Sequence, residues 1–354
     1  MRASSHRGRA GLPRLSAGAR RVRDTGRVRP TLPLAVLAAG AAGLAYATYE
    51  ARSFTLRRFV LPVLPAGSAP IRVLHLSDLH LVPRQQDKLA WVRSLGALEP
   101  DLVVSTGDNL AAMDAVPAVL EAHGDLLSRP GVFVLGSNDY WAPRRKSPAR
   151  YLLRNGGPKL LGRRLPTSDL VDGFRDAGWL DLTNRRGSLT VRGSRLDFVG
   201  VDDPHLGLDR YDRVTGPADP TATLTVGVMH APYRRVLDAM TADGAELLLA
   251  GHTHGGQLCL PGVGALVTNC DLPRRQAKGV SRWPARPAAP GAVPGAPDPR
   301  PWLHVSAGLG TNPYTPVRFA CRPEASLLTF VPTSAADTRT EDLADAWAVP
   351  AGVS

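Results

Sequence analysis

Six short runs of aliphatic and β-branched residues in this chain each stop at a polar cluster, and that repeated coupling limits what it can fold into. The runs are Ile71–Leu76 before Ser77-Asp78, Leu102–Val104 before Thr106-Gly107-Asp108, and Val132–Leu135 before Gly136-Ser137-Asn138-Asp139. Leu196–Val201 precedes Asp202-Asp203, Leu224–Met229 precedes His230, and Leu247–Ala250 precedes Gly251-His252. Stretches this apolar suit strands buried on both faces, as in parallel sheets covered by helices. Their polar termini then gather along one edge of the sheet, where open α/β folds place their sites.

Helical patterns lie between the runs. Leu89, Val92, Leu95 and Leu98 recur at three-residue steps, and Val116, Val119, Leu120, Leu126 and Leu127 make a second stripe. Leu189–Val191 and Leu196–Val199, joined across Arg192-Gly193-Ser194, read as a hairpin, with late strands over Trp302–Ser306 and Ala325–Val331. The pattern predicts a layered α/β or α+β domain over residues 54–333. Three stretches escape it. Residues 140–168 carry eight basic side chains with little periodicity, and read as a solvated loop or a basic lid drawing an anionic substrate. Residues 284–300 form a Pro/Ala/Gly insertion, and the tail over 334–354 has no pattern that would bury a core.

The polar clusters supply Asp78, His80, Asp108, Asn138, His230, His252 and His254. A lone strand-end histidine is usually a hydrogen-bonded core residue; seven donors delivered to one edge are a different matter. Carboxylate, imidazole and amide oxygen in this mixture suit Mn, Fe, Zn or similar divalent ions. The chain's three cysteines, at 259, 270 and 321, form no CxxC pair, which excludes a thiolate zinc site and a disulfide framework. Seven donors exceed the needs of one ion, so two divalent metal ions sharing Asp108 is the economical arrangement.

These blocks resemble the calcineurin-like metallophosphoesterase superfamily, whose pattern is D-x-H, G-D, G-N-H-D/E, H and G-H-x-H. The resemblance covers residues 71–333. Asp78-Leu79-His80 and Gly251-His252-Thr253-His254-Gly255-Gly256-Gln257 are most similar to a YkuE-like bacterial, membrane-associated branch. It implies a four-layer fold, two mixed β-sheets sandwiched by helices. It also implies that Asp78, His80 and His254 hold one metal, that His230 and His252 help hold the second, and that Asp108 bridges them. The activity implied is hydrolysis of a phosphoric ester by a bridging hydroxide. One block departs from the pattern: Gly136-Ser137-Asn138-Asp139 stands where G-N-H-D is expected. A gapless match gives Ser137 the ligand position, whereas Asn138 offers a carbonyl oxygen, the better donor. The customary His is missing either way. His205, after Asp202-Asp203-Pro204, is the nearest uncommitted histidine and a candidate phosphate contact or proton donor beside Asp108 and Asn138. Without a general acid, good leaving groups are cleaved better than poor ones. Asp202 and Asp203 fit supporting or simple turn roles, and Arg274 and Arg275 a phosphate clamp or plain surface.

The net charge of +12 is concentrated in residues 1–30, where nine arginines face Asp24 alone. A basic leader on a nearly balanced body with 6% aromatic residues predicts no nucleic-acid partner. Residues 31–49 are free of charge and, as a helix at about 1.5 Å per residue, would come close to crossing a bilayer. The leader is then cytoplasmic and the domain lies on the far side of the cell membrane. Ala45-Tyr46-Ala47 also fits a cleaved export signal. The whole predicts a membrane-associated, metal-dependent phosphoesterase acting on a phosphodiester, pyrophosphate or lipid-linked phosphate. A metal-binding scaffold whose catalysis faded with the altered block is the rival.

Overall fold

The computed structural model describes residues 31–145, 161–284 and 298–333, and side chains from residue 35 onward. The basic leader, the tail, residues 146–160 of the basic stretch and residues 285–297 of the Pro/Ala/Gly insertion lie outside the described residues. Two six-stranded mixed sheets form the domain. The first runs β1 (Thr55–Leu64), β14 (Glu324–Pro332), β2 (Ile71–Leu76), β3 (Leu102–Ser105), β4 (Gly131–Phe133) and β5 (Leu180–Asp181). The second runs β12 (Gly279–Arg282), β13 (Trp302–Val305), β9 (Leu247–Ala250), β8 (Leu224–Val228), β7 (Ser194–Gly200) and β6 (Arg185–Val191). A two-residue pair, β10 (Cys259–Leu260) and β11 (Gly264–Ala265), stands apart.

Side-chain alternation sorts the apolar residues into layers. Ile71 and Val73 of β2, Leu102 and Val104 of β3, and Val132 of β4 enter one cluster with Val226 and Val228 of β8 and Leu247 and Leu249 of β9. That cluster is the seam between the sheets. Their neighbours Leu74, Leu76, Val103 and Phe133 face the opposite way, into a cluster with residues of α2 (Gln86–Ser94), α3 (Val116–His123) and α5 (Thr167–Asp176). Leu248, Ala250, Leu303 and Val305 pack on Val236, Leu237 and Met240 of α6 (Arg234–Ala242). Helices, sheet, sheet and helix therefore follow the expected layering. The parallel ladders β2–β3–β4 and β7–β8–β9 bring the carboxyl ends of the decisive strands to one side of each sheet.

The runs read from sequence match β2, β3, β4, β7, β8, β9, β13 and β14 within two residues, and the β6–β7 hairpin is antiparallel as expected. β1 gave no such signal. It contains Arg57, Arg58 and Pro62, and among the described residues it pairs only with β14, in parallel. Proline and charge are tolerated there because an edge strand leaves one row of backbone groups unpaired.

The uncharged segment is a helix, α1 (Thr31–Glu50). Among the described residues no helix is long and apolar enough to cross a membrane, so the expected span is not borne out. The residues from Gly43 onward belong to the same compact unit as the domain, and those before it to a separate one. The last turn is fastened: Glu50 accepts from Ala320 N and Cys321 N at 2.9 and 2.7 Å, and Ala47 O accepts from Arg318 N at 2.9 Å.

Candidate metal centre

The loops leaving β2, β3, β8 and β9 converge. Asp78, His80, Asp108, His252 and His254 all have positive φ, between 41° and 69°. For residues with a Cβ this left-handed backbone costs on the order of 1 kcal/mol each, and it is held only where the surroundings over-determine it. Backbone bonds supply that: Asp78 N donates to Gly107 O, His80 N to Asp108 O, and Gly310 N to Asp78 O. Gly136 and Gly251 are required by close approach. A Cβ on Gly251 would stand 2.5 Å from Asp78 Oδ2, and one on Gly136 would stand 2.7 Å from His230 Nδ1.

Two groups of side chains have ligand atoms within 4.8 Å of one another: Asp78, His80 and His254, and Asp78, Asp108 and His230. Asp108 reaches both ways, with Oδ2 at 3.4 Å from His80 Nε2 and Oδ1 at 3.5 Å from His230 Nε2. Asp78 Oδ1 lies 3.5 Å from His254 Nε2, and the Nε2 atoms of His80 and His254 are 3.3 Å apart. The outer nitrogens settle the orientation of two rings. His230 Nδ1 donates to Thr106 O at 2.7 Å and His254 Nδ1 to Gly310 O at 3.1 Å. In the neutral ring each Nε2 then presents a lone pair to a carboxylate oxygen, an arrangement that calls for a cation between them. Asp78 Oδ1 and His230 Nε2 are buried without a hydrogen-bond partner. The donor set fits divalent ions.

Electrostatics agree. Burial pushes His80 down to about 4 and lowers His252 and His254, which keeps these imidazoles neutral and able to coordinate. Burial alone would raise Asp108, but His230, His80 and the Asn138 N–H outweigh it and hold its carboxyl well below the ordinary range. Burial likewise works against charge on His230, and Asp108 overrides it, raising His230 well above its usual value. A metal competes with that shared proton.

The structure brings together five of the seven candidate ligands. His252 stands beside them, its ring 5.1 Å from that of His230, with Nε2 3.3 Å from Asn269 O and its N–H on Asp78 Oδ2. Asn138 touches Asp108 through its backbone, N to Oδ1 at 2.6 Å. Asn138 and Ser137 line a recess with Trp141, Arg144, His205 and Asn312. The His205 ring lies 4.5 Å from that of His252, tilted by 42°, and its Nδ1 lies 3.2 Å from Tyr233 Oη. Asp203 accepts from the backbone N–H groups of His205 and Leu206, a turn that fixes His205. Asp202 accepts from Tyr140 Oη. Arg274 and Arg275 are exposed, and Arg274 donates to Leu266 O.

Two residues that sequence reasoning left out of the site organise it. Asp139, fully buried in the one-turn helix α4 (Ser137–Tyr140), accepts from the N–H groups of Asp108, Asn109 and Gly136 at 2.7 to 2.9 Å and so ties two loops together. Arg318, also fully buried, donates to Ala307 O, Gly308 O and Gly310 O at 2.7 to 3.0 Å. Gly310 O is the acceptor that orients His254. Asp139 closes the Gly136–Asp139 block and could have been found there; Arg318 sits in a loop without a pattern.

Two facing sheets and an Asp/His cluster on their joined edges define a protein built to hold divalent metal. The model of the calcineurin-like phosphoesterase family matches residues 71–256, and the chain belongs to that family. It is 28% identical over 230 residues to the uncharacterised protein YpbG of Bacillus subtilis, covering 64% of this chain and 76% of that one. It is 24% identical to Phosphodiesterase YaeI of Escherichia coli, over 83% of this chain and 94% of YaeI. Identity to the uncharacterised metallophosphoesterase YkuE of B. subtilis is 23%, over 84% and 94% of the two chains. The resemblance to that bacterial branch therefore stands.

Proposed function

We propose that this chain is a metal-dependent phosphoesterase that cleaves a phosphodiester or pyrophosphate bond, including one in a lipid-linked phosphate. The observation that carries the reading is the reach of Asp108, whose two oxygens address His80 on one side and His230 on the other. A carboxylate so placed is suited to lie between two ions, with Asp78, His80 and His254 on one and His230, His252 and Asn138 or Ser137 on the other. Bound divalent cations supply Lewis acidity, lowering the pKa of water and offsetting charge on phosphoryl oxygens. The protein's own part is to hold these donors in fixed orientations, to aim His230 through Thr106 O and His254 through Gly310 O, and to present His205 and Asn138 on the cleft wall. His205 is the group proposed to contact the phosphate or return a proton to the leaving oxygen. The name of YaeI supports the diester.

The same reading puts the chain at a membrane with the domain on the far side from the arginine-rich leader. In support, Val36, Leu37, Leu44 and Tyr49 of α1 are exposed apolar or aromatic side chains beside that charge. A carboxyl-terminal reporter active only in the cytoplasm would sink this placement.

The full chain, stripped of metal, should hydrolyse bis-p-nitrophenyl phosphate when Mn²⁺ is restored, faster than the corresponding monoester. Asp108→Asn and His254→Ala should each cost about 10³-fold, the scale of losing one preorganised electrostatic group. A wild-type rate no faster than these variants, on either ester and on a pyrophosphate, would overturn catalysis. The missing motif His favours a second reading, a metal-binding scaffold, and that result would select it.

A further inference from the structure

A pocket of ≈ 420 Å³ is lined among others by Val82, Arg84, Ala111, Arg145, Pro313 and Tyr314, several of which follow the residues of the metal-ligand cluster closely in the chain. Its walls continue the loops that carry the ligands. Val82 follows His80 by two residues, and Ala111 follows Asp108 by three. Leu81 N donates to Asn109 O, and Ala111 N to Leu81 O, which locks those two walls to each other. The third wall leads on from Gly310, whose N–H is on Asp78 O and whose carbonyl orients His254. Arg84 and Arg145 are the charged residues of the lining, and no acidic side chain joins them. Among the described residues neither is paired with a carboxylate. The Arg145 guanidinium lies 5.6 Å over the Tyr314 ring, which holds it at the rim. The recess with Asn138 and His205 differs: its Arg144 is already donating to Leu161 O.

We propose that the Arg84–Arg145 pocket is a subsite for a second phosphoryl group of the substrate, next to the phosphoryl group under attack. The proposal rests on the phosphoesterase reading and narrows it to substrates with two phosphate centres. Two guanidiniums match a phosphate dianion in shape and charge, and Arg binds phosphate through parallel N–H donors where a lysine offers a point charge. A pocket with one sign of charge concentrates such ligands. Binding energy gathered there, away from the reacting centre, serves to position the scissile bond.

The test compares two esters differing by one phosphate: thymidine 5′-(p-nitrophenyl phosphate) and its 3′-phosphorylated form, with the Mn²⁺-loaded full chain. Wild-type kcat/KM should favour the 3′-phosphorylated ester by about 10-fold or more, the usual worth of a charge-assisted contact. In R84M and R145M that preference should shrink, and in the double variant it should vanish. R84K/R145K should restore part of it, and because both arginines are exposed the variants should keep the wild-type melting temperature. Equal kcat/KM for the two esters in the wild type, or a preference untouched by the double variant, overturns the subsite. If neither ester is hydrolysed, the phosphoesterase reading fails separately, and calorimetry on metal-free protein decides the subsite. Thymidine 3′,5′-bisphosphate should then bind about 10-fold more tightly than thymidine 5′-monophosphate, dependent on both arginines; equal affinities overturn it.

Discussion

Among the described residues seven histidines are buried or nearly so, in two sets that burial alone does not separate. His75, His123 and His304 lie inside the layers; His80, His230, His252 and His254 lie at strand ends. Acidity does not separate them either, since burial pushes His75 down to about 3, His123 to about 4 and His80 to about 4. What differs is the partner. His75 meets His304 Nδ1 and Thr106 Oγ1, both at 2.9 Å, and His304 packs edge-on to Phe59. His123 donates to Val119 O and lies against Phe174 and Trp179. In the strand-end set His80, His230 and His254 turn Nε2 toward a carboxylate oxygen of Asp108 or Asp78, which no ring of the first set does. A buried imidazole facing apolar surface is a packing element; one whose lone pair faces an anion is waiting for a cation.

That distinction breaks most sharply on metal-dependent stability. Mn²⁺ should raise the melting temperature of the wild type, because an ion that binds only the folded state stabilises it by mass action. His254→Ala should erase the rise and the hydrolysis, about 10³-fold, with little loss of metal-free stability. His304→Leu should leave the Mn²⁺-induced rise intact, whatever it does to packing. If His304→Leu removed the rise and His254→Ala did not, the two sets would have to be exchanged.

Arg318 sharpens the comparison one step outward. It touches none of the carboxylates of the cluster, yet it grips the carbonyl that orients His254. Arg318→Met should weaken Mn²⁺ binding about 10- to 100-fold, the range for outer-shell partners of metal ligands. Arg318→Lys should recover part of it. A purely structural role would lower the melting temperature without changing Mn²⁺ affinity at a temperature where the variant is folded, and titration calorimetry distinguishes the two.

The same contrast explains what was legible in the sequence. His75 and His304 are inside apolar runs, Ile71–Leu76 and Trp302–Val305, whereas each strand-end histidine follows a run after it has stopped. Reading where runs end therefore named the residues that the fold gathers into the cluster and located most strands of both sheets. It could not place Arg318, 64 positions beyond His254 and joined to it only by the folded loops. Nor could it find β1, whose charges and proline obey the rules of an edge. A choice between Ser137 and Asn138 would turn on a side-chain rotamer, which no run of residues encodes. The left-handed backbone at Asp78, His80, Asp108, His252 and His254 was equally hidden, since none of these is the glycine that advertises it.

The smallest effect tests the core set by pH. His123 is neutral in the folded protein because burial depresses it to about 4, whereas in the unfolded chain an imidazole titrates near the ordinary value of about 6.5. Above that value both states are neutral and the residue adds no pH dependence. As pH falls below it the unfolded chain takes up a proton the folded one refuses, so stability drops until the folded form also protonates near pH 4. By pH 5.5 the loss is about 1.4 kcal/mol, from RT ln(1 + 10) for one such site. His123→Phe replaces the ring with one that does not titrate, among aromatic neighbours able to receive it. Urea unfolding at pH 7.5 and 5.5 should show the variant losing less stability on acidification than the wild type, by about that amount. An equal loss in both would mean that His123 is already protonated in the fold. The packing imidazoles would then differ from the cation-seeking ones in charge state as well as in partner.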